Sequence, residues 1–149
     1  MTHLFRWRRR GGVVEAHFPL TGTVDHLEFH APHPYPPGHL HLFEHLLLRA
    51  SQPALQAAEA RGCTYNASTT DEAVSFYFSS PNGRPAVALD ALLSAPFTAS
   101  DLEHERATIA QERMFRQGPT GPLDAMLGSA ADIAAFTLAD AEAVRAGLG

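Results

Sequence analysis

The stretch from Ala31 to Arg49 constrains this chain more than any other. Pro32, Pro34, Pro36 and Pro37 crowd its first eight residues. Proline fixes φ, removes a donor and drives the preceding residue out of the helical region, so no regular element survives there. The chain restarts at Gly38 with His39-Leu40-His41-Leu42-Phe43-Glu44-His45-Leu46-Leu47-Leu48-Arg49. At helical spacing, Leu42 and Leu46 share one stripe with Arg49, and Leu40, Phe43 and Leu47 share another. A helix that is apolar over most of its surface belongs in an interior, packed on several sides.

Two imidazoles and a carboxylate interrupt that surface. His41 and His45 stand four residues apart, which puts both rings on one face, one turn apart, with Cβ atoms about 5–6 Å from each other. Two such rings can converge on one zinc ion with Zn–N near about 2.0–2.1 Å. Glu44 borders the same face, where it can reach a water at the metal without ligating. The pattern His-x-x-Glu-His is the inverted form of the zincin motif. In a chain with nine histidines the pentapeptide alone is a moderate signal. The apolar helix strengthens it, because burying these groups without partners is costly and a metal removes that cost.

The cysteine count narrows the ligand chemistry. Cys63 is the only cysteine, which excludes a disulfide framework and a cysteine-rich zinc module and leaves nitrogen and oxygen ligands. A catalytic zinc takes three protein ligands and keeps a fourth position open. The best third ligand is Glu112, late in a long helix expected over 102–117. Glu105, two turns earlier on nearly the same stripe, can hydrogen-bond a ligating histidine and fix its tautomer. His26, His30 and His33 are read as ordinary strand and loop histidines rather than a second metal site.

The 149 residues are one domain's worth of sequence. Alternation predicts strands over 13–18 and 23–30, and again over 64–70 and 73–79. Helices are expected over 39–49, 54–61, 85–94 and 102–117, with Ala99-Ser100-Asp101 capping the last of these. Weaker helices are expected over 123–127 and 138–146. The order implies an α+β fold with an antiparallel-rich sheet backed by helices. Arg6, Arg8, Arg9 and Arg10 read as a solvated end or a first edge strand. A net charge of −5 argues against a nucleic-acid binder. No apolar run is long enough for a membrane span. None follows the arginines to make a signal peptide, so the expected compartment is the cytoplasm.

The chain resembles the inverzincin peptidases, the pitrilysin or M16 family that includes insulin-degrading enzyme and the mitochondrial processing peptidase. Gly38 to Leu48 is similar to the family's Gly-x-x-His-x-x-Glu-His helix. Gly62-Cys63-Thr64-Tyr65-Asn66-Ala67-Ser68-Thr69 is similar to its Gly-x-x-x-Asn-Ala-x-Thr edge strand, and Glu105 to Glu112 to its Glu-Arg-x-x-x-x-x-Glu helix. Met126-Leu127-Gly128-Ser129 through Ile133 to Asp140 resembles the stretch that follows. The resemblance implies a shortened form of one M16 (LuxS/MPP-like) metallohydrolase domain. It implies His41, His45 and Glu112 as Zn2+ ligands, Glu44 as general base and Glu105 as support for a ligand. It also implies that the strand at Asn66 and Ala67 binds an extended peptide by β-augmentation. The activity it implies is that of a zinc metalloendopeptidase.

The 67 residues from His45 to Glu112 are fewer than usual in the family, as shortened loops would produce. Family members carry paired homologous domains that close over the peptide. This chain covers only the first part of one, so a homodimer, or a heterodimer with a second M16-like subunit, is expected. Two other readings stay open: a non-catalytic peptide-binding companion, and a zinc hydrolase acting on a non-peptide amide.

Overall fold

The computed structural model describes residues 6–10, 13–17, 22–31, 33–115 and 127–147. Five antiparallel strands form one sheet: β1 (Arg6–Arg10), β2 (Val13–His17), β3 (Thr23–His30), β4 (Thr64–Thr69) and β5 (Ala73–Ser80), in the order β1-β2-β3-β5-β4. The arginine-rich start is therefore an edge strand, and β4 is the edge on the other side.

The sheet has two unlike faces because side chains alternate along each strand. Leu27 and Phe29 of β3 oppose Phe76 and Val74 of β5. These four are fully buried, and Phe78 is 1% exposed. On the other face lie Val24, His26, Glu28 and His30, beside Ser75 and Tyr77. Period-two alternation over the expected strand 23–30 thus separates Leu27 and Phe29 from His26, Glu28 and His30.

The helices cover the apolar face. α1 (His39–Ala50) lies at the centre of the core, with Leu42, Phe43, Leu46 and Leu47 fully buried. Phe43 meets Phe29 edge-on at 5.5 Å between ring centroids, and Phe29 meets Phe76 edge-on at 5.9 Å. Each such side chain stabilises the fold by about 1.5–3 kcal/mol relative to an exposed one. α2 (Gln52–Glu59) and α3 (Ala86–Ser94) add Leu55, Leu89 and Leu92 to the core. α4 (Ala99–Phe115) follows, then α5 (Ala130–Ala135) and α6 (Leu138–Ala146). Among the described residues no helix is long and apolar enough to cross a membrane.

Three details differ from the sequence-based expectation. α4 begins at Ala99, and its cap is Thr98, whose hydroxyl accepts from the Asp101 N–H at 3.1 Å. A hydroxyl one residue before the helix can satisfy an orphan N–H that groups inside the first turn cannot reach in the same way. α2 spans Gln52–Glu59 rather than the expected 54–61, and Ser51 at its N-cap makes no side-chain capping bond. α5 was not anticipated: its six residues are too few for a periodic signal, and a capping box of Ser129 and Asp132 holds its start. The end of the helix expected to 117, and most of the one expected over 123–127, lie outside the described residues.

One crossing fixes the start of α1. Gly38 has φ +84°, and a Cβ there would sit 2.5 Å from the Leu127 carbonyl oxygen and 2.8 Å from Ile133 Cδ1. Gly128, at φ +65°, would drive a Cβ into the Pro37 carbonyl. Only glycine allows two backbones this close in these conformations. His39 completes the join: its buried ring places Nε2 2.8 Å from the Asp132 carbonyl oxygen.

Candidate metal centre

α1 and α4 run antiparallel and meet along two polar stripes. On α1 the stripe is His41, His45 and Arg49, at successive intervals of four. On α4, Leu102, Glu105, Ile109 and Glu112 face inward at intervals of three and four, so the buried stripe of an otherwise charged helix is half acidic. His41 Nε2 lies 3.2 Å from Glu112 Oε2, and His45 Nε2 lies 3.6 Å from Glu112 Oε1. His45 turns its other nitrogen, Nδ1, to Glu105 Oε2 at 3.1 Å. Arg49 then reaches Glu105 at 3.4 Å and Asp101 at 2.8 Å.

His41, His45 and Glu112 each offer one ligand atom, and these atoms lie within 4.8 Å of one another. Four ligands about 2.0–2.1 Å from a tetrahedral zinc are separated by roughly 3.3–3.4 Å. The 3.2 and 3.6 Å separations run to different oxygens of the Glu112 carboxylate and lie near that edge, while the three ligand atoms taken one per residue are held within 4.8 Å, so small side-chain rotations would close the trio on an ion. Two imidazoles and one carboxylate also form the donor set that suits zinc and leaves a fourth position open. These residues fit the ion. Among the described residues no other trio of histidine, cysteine or acidic side chains closes to this distance.

Glu105 is 7% exposed. A carboxylate so placed is tolerable only with charged or hydrogen-bonding partners. His45 and Arg49 supply them. By holding Nδ1, Glu105 orients the ring and leaves Nε2 free to turn toward Glu112. Asp101, at the far end of this chain of contacts, has its pKa lowered by the Thr98 hydroxyl and further by Arg49, against a smaller opposing effect of burial.

Glu44 meets the sheet. Its Oε2 accepts a short hydrogen bond from the Thr69 hydroxyl, at the end of β4. The carboxylate is thus tied to the edge strand.

No family sequence model matches the chain, and no curated protein matches it in sequence. Its fold, by contrast, is shared with solved structures. An M16-like peptidase from Alicyclobacillus acidocaldarius is 21% identical with a TM-score of 0.70, over 97% of this chain and 43% of that one. A protease from Helicobacter pylori is 17% identical with a TM-score of 0.66, over 95% of this chain and 42% of that one. The fold of this chain is that of M16-like peptidase domains. The ferredoxin protease FusC, in complex with Arabidopsis ferredoxin, is 20% identical with a TM-score of 0.70, over 97% of this chain and 20% of that one. This chain therefore spans about two fifths of the first two structures and one fifth of the third.

Within the M16-like fold, the residues singled out from sequence fall into two groups. His41, His45 and Glu112 converge, with Glu105 behind His45 and Glu44 beside them. Asn66 and Ala67 lie on β4, apart from that cluster. Asn66 is exposed on the face of the sheet away from the helices, and Ala67 packs toward the core. Sequence reasoning assigned no role to Thr69 or Arg49. The signals were present: Thr69 is in phase with Ala67 along β4, and Arg49 lies one turn beyond His45.

Proposed function

We propose that this chain is a zinc-dependent peptidase domain in which His41, His45 and Glu112 hold the ion and Glu44 is the general base. The observation that supports the reading is that Glu44, the residue before His45 on α1, accepts a hydrogen bond from Thr69 on β4, the last strand of the sheet among the described residues. Zinc bound there supplies a Lewis acid that acidifies water and polarises a carbonyl. An extended peptide adds to the free edge of β4 through its main chain, with Asn66 and Ala67 in the strand it pairs with. This lays its backbone across the face of the trio. Glu44 takes a proton from water as the oxygen bonds to the scissile carbon. It passes the proton to the departing amine nitrogen as the C–N bond breaks.

The same reading gives the chain a partner. The solved structures it resembles are more than twice its length, and a second copy or a separately encoded similar subunit would close over the peptide on β4.

Metal analysis and peptide hydrolysis with Glu44→Gln test the proposal. About one zinc per chain is expected in both proteins, with hydrolysis only in the parent. Equal hydrolysis by both would remove Glu44 as base, and a zinc-free parent would remove the site. Zinc and peptide binding without hydrolysis by the parent would make the chain a binding companion instead. Light scattering tests the partner: a fully active monomer would overturn it.

A further inference from the structure

The contacts that hold His45 continue outward across both helices. Glu105 uses both carboxylate oxygens: Oε2 lies 3.1 Å from His45 Nδ1, and Oε1 accepts from Arg49 Nη1 at 3.4 Å. Arg49 turns its Nε to Asp101 Oδ1 at 2.8 Å. Asp101 in turn accepts from the Thr98 hydroxyl through Oδ2 at 2.6 Å. These side chains form one unbroken run from the start of α4 to an imidazole of the trio.

Two roles for Arg49 compete. As a cation in the last turn of α1, paired with an acid in the first turn of α4, it suits both helix dipoles and pins one helix end to the other. A part-exposed pair of that kind contributes little. Burial argues for more. The Glu105 side chain is 9% exposed, against 32% for Arg49 and 23% for Asp101. A carboxylate that deep needs a permanent counter-charge, and among the described residues Arg49 alone supplies one. Without it, Glu105 swings toward water and releases Nδ1. Lysine is no equal substitute, because the guanidinium reaches Asp101 and Glu105 at once while an ammonium is a point charge.

We infer that Arg49, clamped by Asp101, is a positioning residue for the His45 imidazole and acts through Glu105. Its consequence for zinc rests on the metal-binding part of the proposed function. The sign of that consequence is diagnostic. Arg49 is a fixed positive charge near the trio, so by Coulomb's law its removal alone favours a second cation there. Loss of positioning does the opposite.

Zinc affinity of the parent, Arg49→Met, Arg49→Lys and Asp101→Asn is measured by competition with a chromophoric chelator. In the zinc-free proteins, nitrogen-edited NMR at about pH 8, where an ordinary imidazole is neutral, reads the His45 tautomer. Loss of its signals in His45→Gln identifies them. Arg49→Met should weaken zinc binding about tenfold and deplete the Nδ1–H form of His45. Arg49→Lys should recover only part of both. Asp101→Asn should weaken zinc binding about threefold, the scale of one part-exposed charge contact. In a Glu105→Ala background, Arg49→Met should change affinity by less than about twofold, because its route to His45 is already cut. If Arg49→Met does not fold, Arg49→Lys and Asp101→Asn carry the same test. Unchanged or tighter zinc binding, an unchanged tautomer, full rescue by lysine, or an equal loss in the Glu105→Ala background would overturn the inference. Zinc binding indifferent to Arg49 would leave the metal centre standing. An Arg49-dependent tautomer in a parent that binds no zinc would keep the positioning and remove the metal centre.

Discussion

Glu105 Oε2 lies 3.1 Å from His45 Nδ1, and the carboxylate that makes this contact is almost fully withdrawn from solvent. The pairing leaves the other imidazole nitrogen, Nε2, facing Glu112. It also ties His45 to Arg49, whose guanidinium neutralises Glu105 from the other side.

Glu105→Ala should therefore weaken zinc binding by about 10–100-fold, the usual effect of removing such an outer partner. Glu105→Gln should lose less, because the amide oxygen still accepts from Nδ1–H. Competition against a chromophoric chelator measures both. Unchanged affinity in Glu105→Ala would show that His45 needs no orienting partner.

Thr69→Val removes the hydroxyl that donates to Glu44 while keeping the β-branched shape that suits β4. The expected result is a fall in kcat of about tenfold to a hundredfold, the scale of one hydrogen bond to a charged group. Zinc content should not change. Loss of zinc with kcat preserved would place Thr69 in metal binding instead.

Glycine substitutions separate conformational strain from collision. Gly83 also has positive φ, at +91°, but a Cβ there meets nothing within 4 Å. Gly83→Ala should cost only the left-handed backbone penalty, about 1–2 kcal/mol. Gly38→Ala adds a backbone collision with Leu127 and should cost clearly more, lowering Tm further and loosening the start of α1. Equal Tm losses in thermal melts would contradict the crossing of the two segments.

Acid should destabilise the fold through its helix starts. The Thr98 hydroxyl and then Arg49 lower the pKa of Asp101. Burial pushes Asp140 up, but the Thr137 hydroxyl and backbone N–H outweigh it, so its pKa is lowered as well. A carboxyl with a lowered folded-state pKa stabilises the fold when ionised. That contribution is complete above the ordinary aspartate value of about 3.9 and is lost as pH falls through the lowered values. Chemical denaturation between neutral pH and about pH 3 should show stability falling at the acid end. Thr137→Ala should cost about 1 kcal/mol at neutral pH and flatten that decline. An identical pH profile in the variant would show that this cap is not involved.

Much of this arrangement was legible in the amino-acid order, because the chemistry is carried by local spacing. A spacing of four from His41 to His45 on a helix puts their rings on one face, and period-two alternation in β3 sorted Leu27 and Phe29 from His26 and Glu28. Caps were harder to read. Thr98 and Asp101 are three apart, as the capping pattern requires, but Ala99-Ser100-Asp101 offers a competing start that only the hydrogen bonds exclude. α5 was illegible because six residues cannot establish a period. Asn66 illustrates a different limit: alternation along β4 puts it on the face away from the helices, and only its place in an edge strand connects it with a peptide.

The sequence by itself determined that a buried helix carries two imidazoles and a carboxylate, that cysteine has no part in the ligand set, and that an acidic stripe exists on a second helix. Local geometry suffices for each of these. Only the tertiary structure decided that Glu112 meets both histidines, that Glu105 serves His45 and Arg49 together, and that Glu44 is held by Thr69. Those contacts join residues 25 to 71 positions apart. Such distances close only when the apolar faces of sheet and helices are buried together. That burial sets the α1–α4 alignment through packing, which no local periodicity encodes.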